Sequence, residues 1–93
     1  MTSDVIRGDW RPSSDGCIEG VITDSLYVVA GVSIELRGRV QRDAIVYSDG
    51  RLTIADGAVV VGDLHNFGGW VEVIGSVQGR IHGAGQTIHR RPP

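Results

Sequence analysis

His65 and His82 stand 17 residues apart in a 93-residue chain that has three histidines and a single cysteine, Cys17. Two imidazoles brought to one surface could share a divalent cation or pass a proton, and a thiol beside an imidazole could act as a nucleophile. Asp63 lies two residues before His65, and Glu35 and Glu72 add carboxylates of the kind used in acid–base catalysis. Arg51 and Trp70 form a different pair, because a guanidinium over an indole is a cation–π contact and both types recur in protein-binding patches. None of these spacings has meaning unless the chain stacks one segment on the next.

A repeat supplies that stacking. GCIEGVIT (16–23) and GSVQGRIH (75–82) share one pattern of glycines and aliphatics, with weaker copies GRVQRDAIV (38–46) and GAVVVGDLH (57–65) between them. Each weaker copy carries an extra residue before its second aliphatic. Glycine-containing corners follow at 48–51, 67–70 and 84–87, and Leu52, Val71 and Ile88 then arrive in register. Phrase starts at 16, 38, 57 and 75 are 22, 19 and 18 residues apart. Short alternating runs such as Leu52-Thr53-Ile54 and Val71-Glu72-Val73 are half-buried strands by pattern. The expected fold is all-β: a short parallel β-solenoid of about four turns, roughly 18–19 residues per turn, with a triangular cross-section made by about three strands per turn. An antiparallel meander or sandwich is the rival reading, and it predicts hairpin dipeptides rather than columns in register. Periodicity leaves the handedness open.

Strand alternation assigns Ile18, Ile22, Val40, Ile45, Val59, Leu64, Val77 and Ile81 to interior columns. Leu36, Leu52, Ile54, Val71 and Val73 form another inner face, and LYVVAG (26–31) is surplus, a bulged face or small loop. Residues 1–15 are expected to be an N-terminal cap or arm, 16–88 the solenoid domain, and 89–93 a C-terminal tail.

Turns stacked about 4.8 Å apart put His65 and His82 in one outward column, with Thr23 and Val46 in that column on other turns. Two ligands do not make a metal site, and Asp63 is expected to pair with Arg80 one turn later, so the column reads as a solvated polar ladder. Cys17 falls in the column of Arg39, Ala58 and Ser76, about 20 Å along the strand from the histidines, which excludes a Cys–His dyad. Glu35 and Glu72 share an outer row with Thr53 between them, about 10 Å apart, too far to share a proton. No catalytic, metal or cofactor-binding residue is assigned, and no enzyme activity is expected. Arg51 and Trp70 fall in one column, continued by Thr87, with Phe67 and Tyr47 nearby. These four residues are the candidate protein-binding corner, against the alternative of a structural clasp.

Composition excludes further classes. Aromatics are 5%, glycines number 14, and no run shows helical periodicity, so the core must come from Val, Ile and Leu in strands. Formal charge is −2 and all nine basic residues are Arg, scattered except for Arg90-Arg91, which argues against nucleic acid as a partner. MTSDVIRGDW lacks the apolar core of a signal peptide, and the longest Ala/Val run is AVVV (58–61), so no membrane insertion is expected. A lone cysteine suits a reducing compartment, and the expected location is cytoplasmic. Threonine ranks of the ice-binding kind, calcium-binding nonapeptides and phosphate-cradling glycine loops are missing from the sequence.

LTIADGAVVVGDL (52–64) resembles the repeats of bactofilins, bacterial cytoskeletal proteins built on a right-handed triangular β-helix. NFGGWVEVIGSVQGRIHG (66–83) is similar to short bacterial solenoid repeats of the GGxVEIxGxVxGxI kind, and the two likenesses together span roughly residues 16–88. The resemblance implies end-to-end polymerisation without a nucleotide. The chain departs from bactofilins in its small number of turns and in lacking their membrane-targeting segment and long Pro-rich tails. IADGAV and VVGDLH (54–65) also resemble the six-residue repeats of hexapeptide acyltransferases, which form a left-handed β-helix. Those enzymes have more turns and a loop over the acyl carrier, so the likeness implies architecture rather than activity.

A short solenoid is largely terminal turn, and its ends expose unpaired backbone groups and apolar cross-section. Val5, Ile6, Trp10 and Pro12 could fold over the first turn, while HRRPP (89–93) sets charge and proline against strand addition. Val77, Ile81 and Ile88 mark the end expected to self-associate. The expected function is therefore a non-enzymatic structural protein that joins to itself through its ends, as a homo-oligomer or filament. The alternative is a protein-binding module, inhibitor or adaptor, that uses the Trp70 corner.

Overall fold

The computed structural model describes residues 5–89, so HRRPP beyond His89 falls outside the described residues. After β1 (Val5–Ile6), the strands come in threes. One coil holds β2 (Gly16–Ile18), β3 (Val21–Ile22) and β4 (Leu26–Val28). The next holds β5 (Ser33–Leu36), β6 (Arg39–Val40) and β7 (Ala44–Tyr47). A third holds β8 (Arg51–Ile54), β9 (Val59–Val60) and β10 (Leu64–Phe67). Then come β11 (Trp70–Val73), β12 (Ser76–Val77) and β13 (Ile81–His82), and β14 (Gln86–His89) is last.

Every third strand pairs with its counterpart, and all the strand pairs are parallel. Three sheets result: β2-β5-β8-β11-β14, β1-β3-β6-β9-β12 and β4-β7-β10-β13. Trp10 bridges in parallel to Leu26 and extends the third sheet by one rung. The fold is thus a parallel β-solenoid of about five coils rather than four. The added coil comes from residues 5–15: Val5 and Ile6 pair with Val21 and Ile22, continuing the ladder. Among the described residues no helix is long and apolar enough to cross a membrane.

Inward side chains make one continuous core of stacked columns. Ile18, Leu36, Ile54 and Val73 form one, and Ile22, Val40, Val60 and Val77 another. Leu26, Ala44, Leu64 and Ile81 form a third. Most of these residues are fully buried, and each buried Val, Leu or Ile contributes about 1.5–3 kcal/mol over leaving it in water. β-Branched residues suit these short strands because their stiff side chains pack well on a pleated surface.

Two of the eight expected interior positions differ. Ile45 and Val59 are half-buried and face outward, while their neighbours Val46 and Val60 are fully buried. The true repeat is GVITDSL (20–26), GRVQRDA (38–44), AVVVGDL (58–64) and GSVQGRI (75–81), each seven residues long with no insertion. GCIE, the start of the opening phrase, lies on the β2 sheet, whereas GSVQ lies on the β12 sheet. Every corner of the tube offers glycine, then an outward residue, then an inward aliphatic, so a phrase from one corner matches a phrase from another. Anchoring on Gly57 and on Ile45 shifts the register by one, and a shift of one reverses inside and outside. LYVVAG is not surplus: Leu26 to Val28 form β4, a regular rung.

Candidate functional site

The corner before the third sheet carries Asp9, Ser25, Asp43, Asp63 and Arg80 on successive coils, each just ahead of an inward residue. Three of the carboxylate-to-backbone steps are alike. The backbone N–H of Ser25 donates to Asp9 Oδ1, that of Asp63 to Asp43 Oδ1, and that of Arg80 to Asp63 Oδ1, each at 2.9 Å. Gly62 and Gly79 make room for the last two, since a Cβ at either would strike the aspartate carboxylate one coil back and the backbone beside it. An aspartate at this corner therefore stitches its own coil to the next.

The second oxygen of each carboxylate faces an imidazole. His65 Nε2 lies 3.7 Å from Asp43 Oδ2, and His82 Nε2 lies 3.4 Å from Asp63 Oδ2. His65 and His82 pair in register, as their spacing predicts, and their rings stack 5.2 Å apart and 18° from parallel. The rest of that column is Tyr27 and Ile45 instead of Thr23 and Val46. Asp63 meets the amide of Arg80, not the guanidinium pairing expected from sequence. That amide hydrogen bond, with His82 and His65 beside it, outweighs desolvation and holds the Asp63 carboxyl below its usual value of 3.8. Asp43, Asp63 and His65 each offer a ligand atom within 4.8 Å of the other two. These three are the described residues best placed to hold a metal ion.

At the next corner Arg51 pairs in register with Trp70, and its guanidinium carbon lies 5.4 Å from the ring centroid. Gln86 continues the column, while Thr87 lies one place further and pairs with Val71. Tyr47 and Phe67 pair at the ends of β7 and β10, with ring centroids 6.2 Å apart, and Tyr27 stacks on Tyr47 at 6.4 Å. All four expected corner residues are therefore gathered at one edge, two on each side of it. Between them the chain turns through Asp49 at φ 65° and Gly68 at φ 97°, a region that favours short polar residues and glycine. A groove of about 610 Å³ runs past Gly50, Arg51, Gly69, Trp70 and Gln86. Phe67 is 54% exposed.

Cys17 faces outward as expected, but in the row of Glu35, Thr53, Glu72 and Ile88. Its Sγ lies 3.7 Å from Glu35 Oε2. Desolvation, and then the Glu35 and Glu19 carboxylates against the opposing pull of Arg37, raise the thiol above its ordinary 9.0, which disfavours the nucleophilic thiolate. Glu35 itself is engaged by Arg37. Glu35 and Glu72 are separated by Thr53 as expected.

At the C-terminal end Val77 is half-buried and Ile81 is 37% exposed, and each continues an inner column. Ile88 pairs with Glu72 on the outer row, and Thr87 takes the inner place over Val71. The cause is a short last coil: Val73 to His89 spans 16 residues, so the expected in-register aliphatic arrives one position late. Asn66 was not singled out by sequence, yet it is a buried polar residue at 1% exposure in the column of Val28 and Val46. Its Oδ1 accepts from Gly69 N at 2.8 Å and its Nδ2 donates to Gln86 O at 3.0 Å.

Fold and geometry together define a small parallel β-solenoid with a polar Asp–His corner, an aromatic–arginine corner and open-edged end coils. No family model matches the chain, and no curated protein or solved structure matches it either.

Proposed function

We propose that the protein is a non-enzymatic structural element that joins to copies of itself by stacking solenoid ends, as the bactofilin likeness implies. The supporting observation is one of phase. The described strands begin with β1 on one sheet and end with β14 on the sheet that precedes it around the tube, so each face carries five rungs once the Trp10 bridge is counted. A second copy set on the last coil would lay its own β1 along β12 with no strand skipped. Val5 at one end is 60% exposed and Ile81 at the other 37%, so each end presents an apolar group beside an open ladder edge. Such a contact is head-to-tail, and head-to-tail contacts that do not close give filaments. Strand addition at the edges supplies the affinity.

The test uses variants that block one end each. The full chain should sediment as species larger than its 9.9 kDa and show filaments by electron microscopy. Val5→Asp and Ile81→Lys should each give monomers, and an equimolar mixture of the two should give dimers. A full chain that stays monomeric at high concentration defeats the proposal, and so does a single variant that dimerises alone.

A second reading is favoured by the exposed Phe67 beside Tyr47, Arg51 and Trp70. These are the residue types that anchor protein interfaces, and here they meet at one edge. On that reading the solenoid is a rigid binding module. Phe67→Asp would then leave both the melt and the assembly state unchanged while removing a bound protein partner.

A further inference from the structure

We propose that Asp43, Asp63 and His65 form a binding site for a first-row divalent transition cation of the zinc class on the outside of the solenoid. Sequence spacing alone gives two imidazoles and one carboxylate. The stack adds the missing ligand, Asp43, by placing it one coil before Asp63 and within reach of His65.

Three observations carry the site. First, the separations suit coordination. Ligand atoms of the three residues lie within 4.8 Å of one another, and His65 Nε2 stands 3.7 Å from Asp43 Oδ2. That is beyond hydrogen-bonding distance and near the edge length of a coordination polyhedron with metal–ligand bonds of about 2.0–2.2 Å. Second, both carboxylates are already oriented. Each has its Oδ1 held by a backbone amide of the following coil, which leaves Oδ2 for a cation. Ligating carboxylates are ordinarily held in this way by a second hydrogen bond. Third, no guanidinium competes. Arg42, next to Asp43, is drawn off by Asp24 at 3.0 Å, and among the described residues no arginine side chain is paired with Asp43 or Asp63.

His82 completes the arrangement as a positioning residue. Its Nε2 faces Asp63 Oδ2 at 3.4 Å, and a carboxylate oxygen has two lone pairs, one for the imidazole N–H and one for the metal. The donor set chooses the ion. One imidazole with two carboxylates suits zinc, nickel or cobalt, whereas calcium and magnesium take oxygen ligands in larger number. Three protein ligands leave a position open for water or for a group on another molecule.

The experiment is competition of the full chain against a chromophoric chelator for zinc ion, backed by the absorption spectrum of the cobalt derivative. The expected result is one metal per chain, affinity at least about tenfold weaker in Asp43→Asn and in His65→Gln, a smaller loss in His82→Gln, and no change in His89→Gln. Metal-free melts establish that the variants are folded, and either first-shell variant alone suffices if the other is not. Failure of the full chain to compete, equal affinity in Asp43→Asn and His65→Gln, or preference for calcium over zinc overturns the proposal. Sedimentation of the metal-free chain separates this outcome from that of end stacking.

Discussion

Asp63 accepts the backbone amide of Arg80 at 2.9 Å, so the carboxylate of one coil holds the main chain of the next. The geometry that stitches the coils also depresses the acid. Because its folded value lies below the unfolded 3.8, Asp63 adds stability that is present above about pH 4 and is lost as pH falls through the folded value. Asp63→Asn keeps an oxygen for the amide and removes the charge. The variant should therefore have a lower urea midpoint than the parent at pH 7, and the gap should close in strong acid. A gap of equal size at both pH values would show that the charge is not the cause.

The second prediction separates inside from outside on β7. Val46 is fully buried and Ile45, its neighbour, faces outward beside His65. Val46→Thr places a hydroxyl in the core without a partner and should cost about 1–3 kcal/mol. Ile45→Thr should cost less than about 1 kcal/mol, since surface changes are small. Chemical denaturation of the two variants decides the register, and the reverse order would place the outward column inside.

What the sequence revealed and what it hid follow from the same repetition. Parallel stacking, the in-register pairs His65–His82 and Arg51–Trp70, and the row Glu35–Thr53–Glu72 are legible because each is a pair of residues one period apart. The phase of the repeat is not, because three corners with one chemistry make their phrases interchangeable. That error of one residue moved Ile45 and Val59 inward and hid the column of Asp43 and Asp63. Coil length matters too: Ile88 reaches the outer row because its coil is two residues shorter than the 18 that separate Ile34 from Leu52. Asn66 could have been found as the polar interruption in an otherwise aliphatic slot, but only once Val28 and Val46 were aligned to it.

Asn66 carries the last prediction. It stands where the apolar column gives way to the open end, and its amide does two things at once. Its Oδ1 satisfies the buried Gly69 amide, and its Nδ2 reaches across to Gln86 O at the start of β14. Gly85 lies directly against this side chain, so no larger residue fits above it. Asn66→Ala leaves a buried N–H without a partner and should cost about 1–3 kcal/mol. Because the side chain ties the corner to the final strand, the loss should be local. Hydrogen exchange at Gly69 and across Gln86–His89 should accelerate well before exchange at Ser33–Leu36 on the same sheet. Acceleration of equal size in both segments would mean that Asn66 supports the whole tube rather than its end.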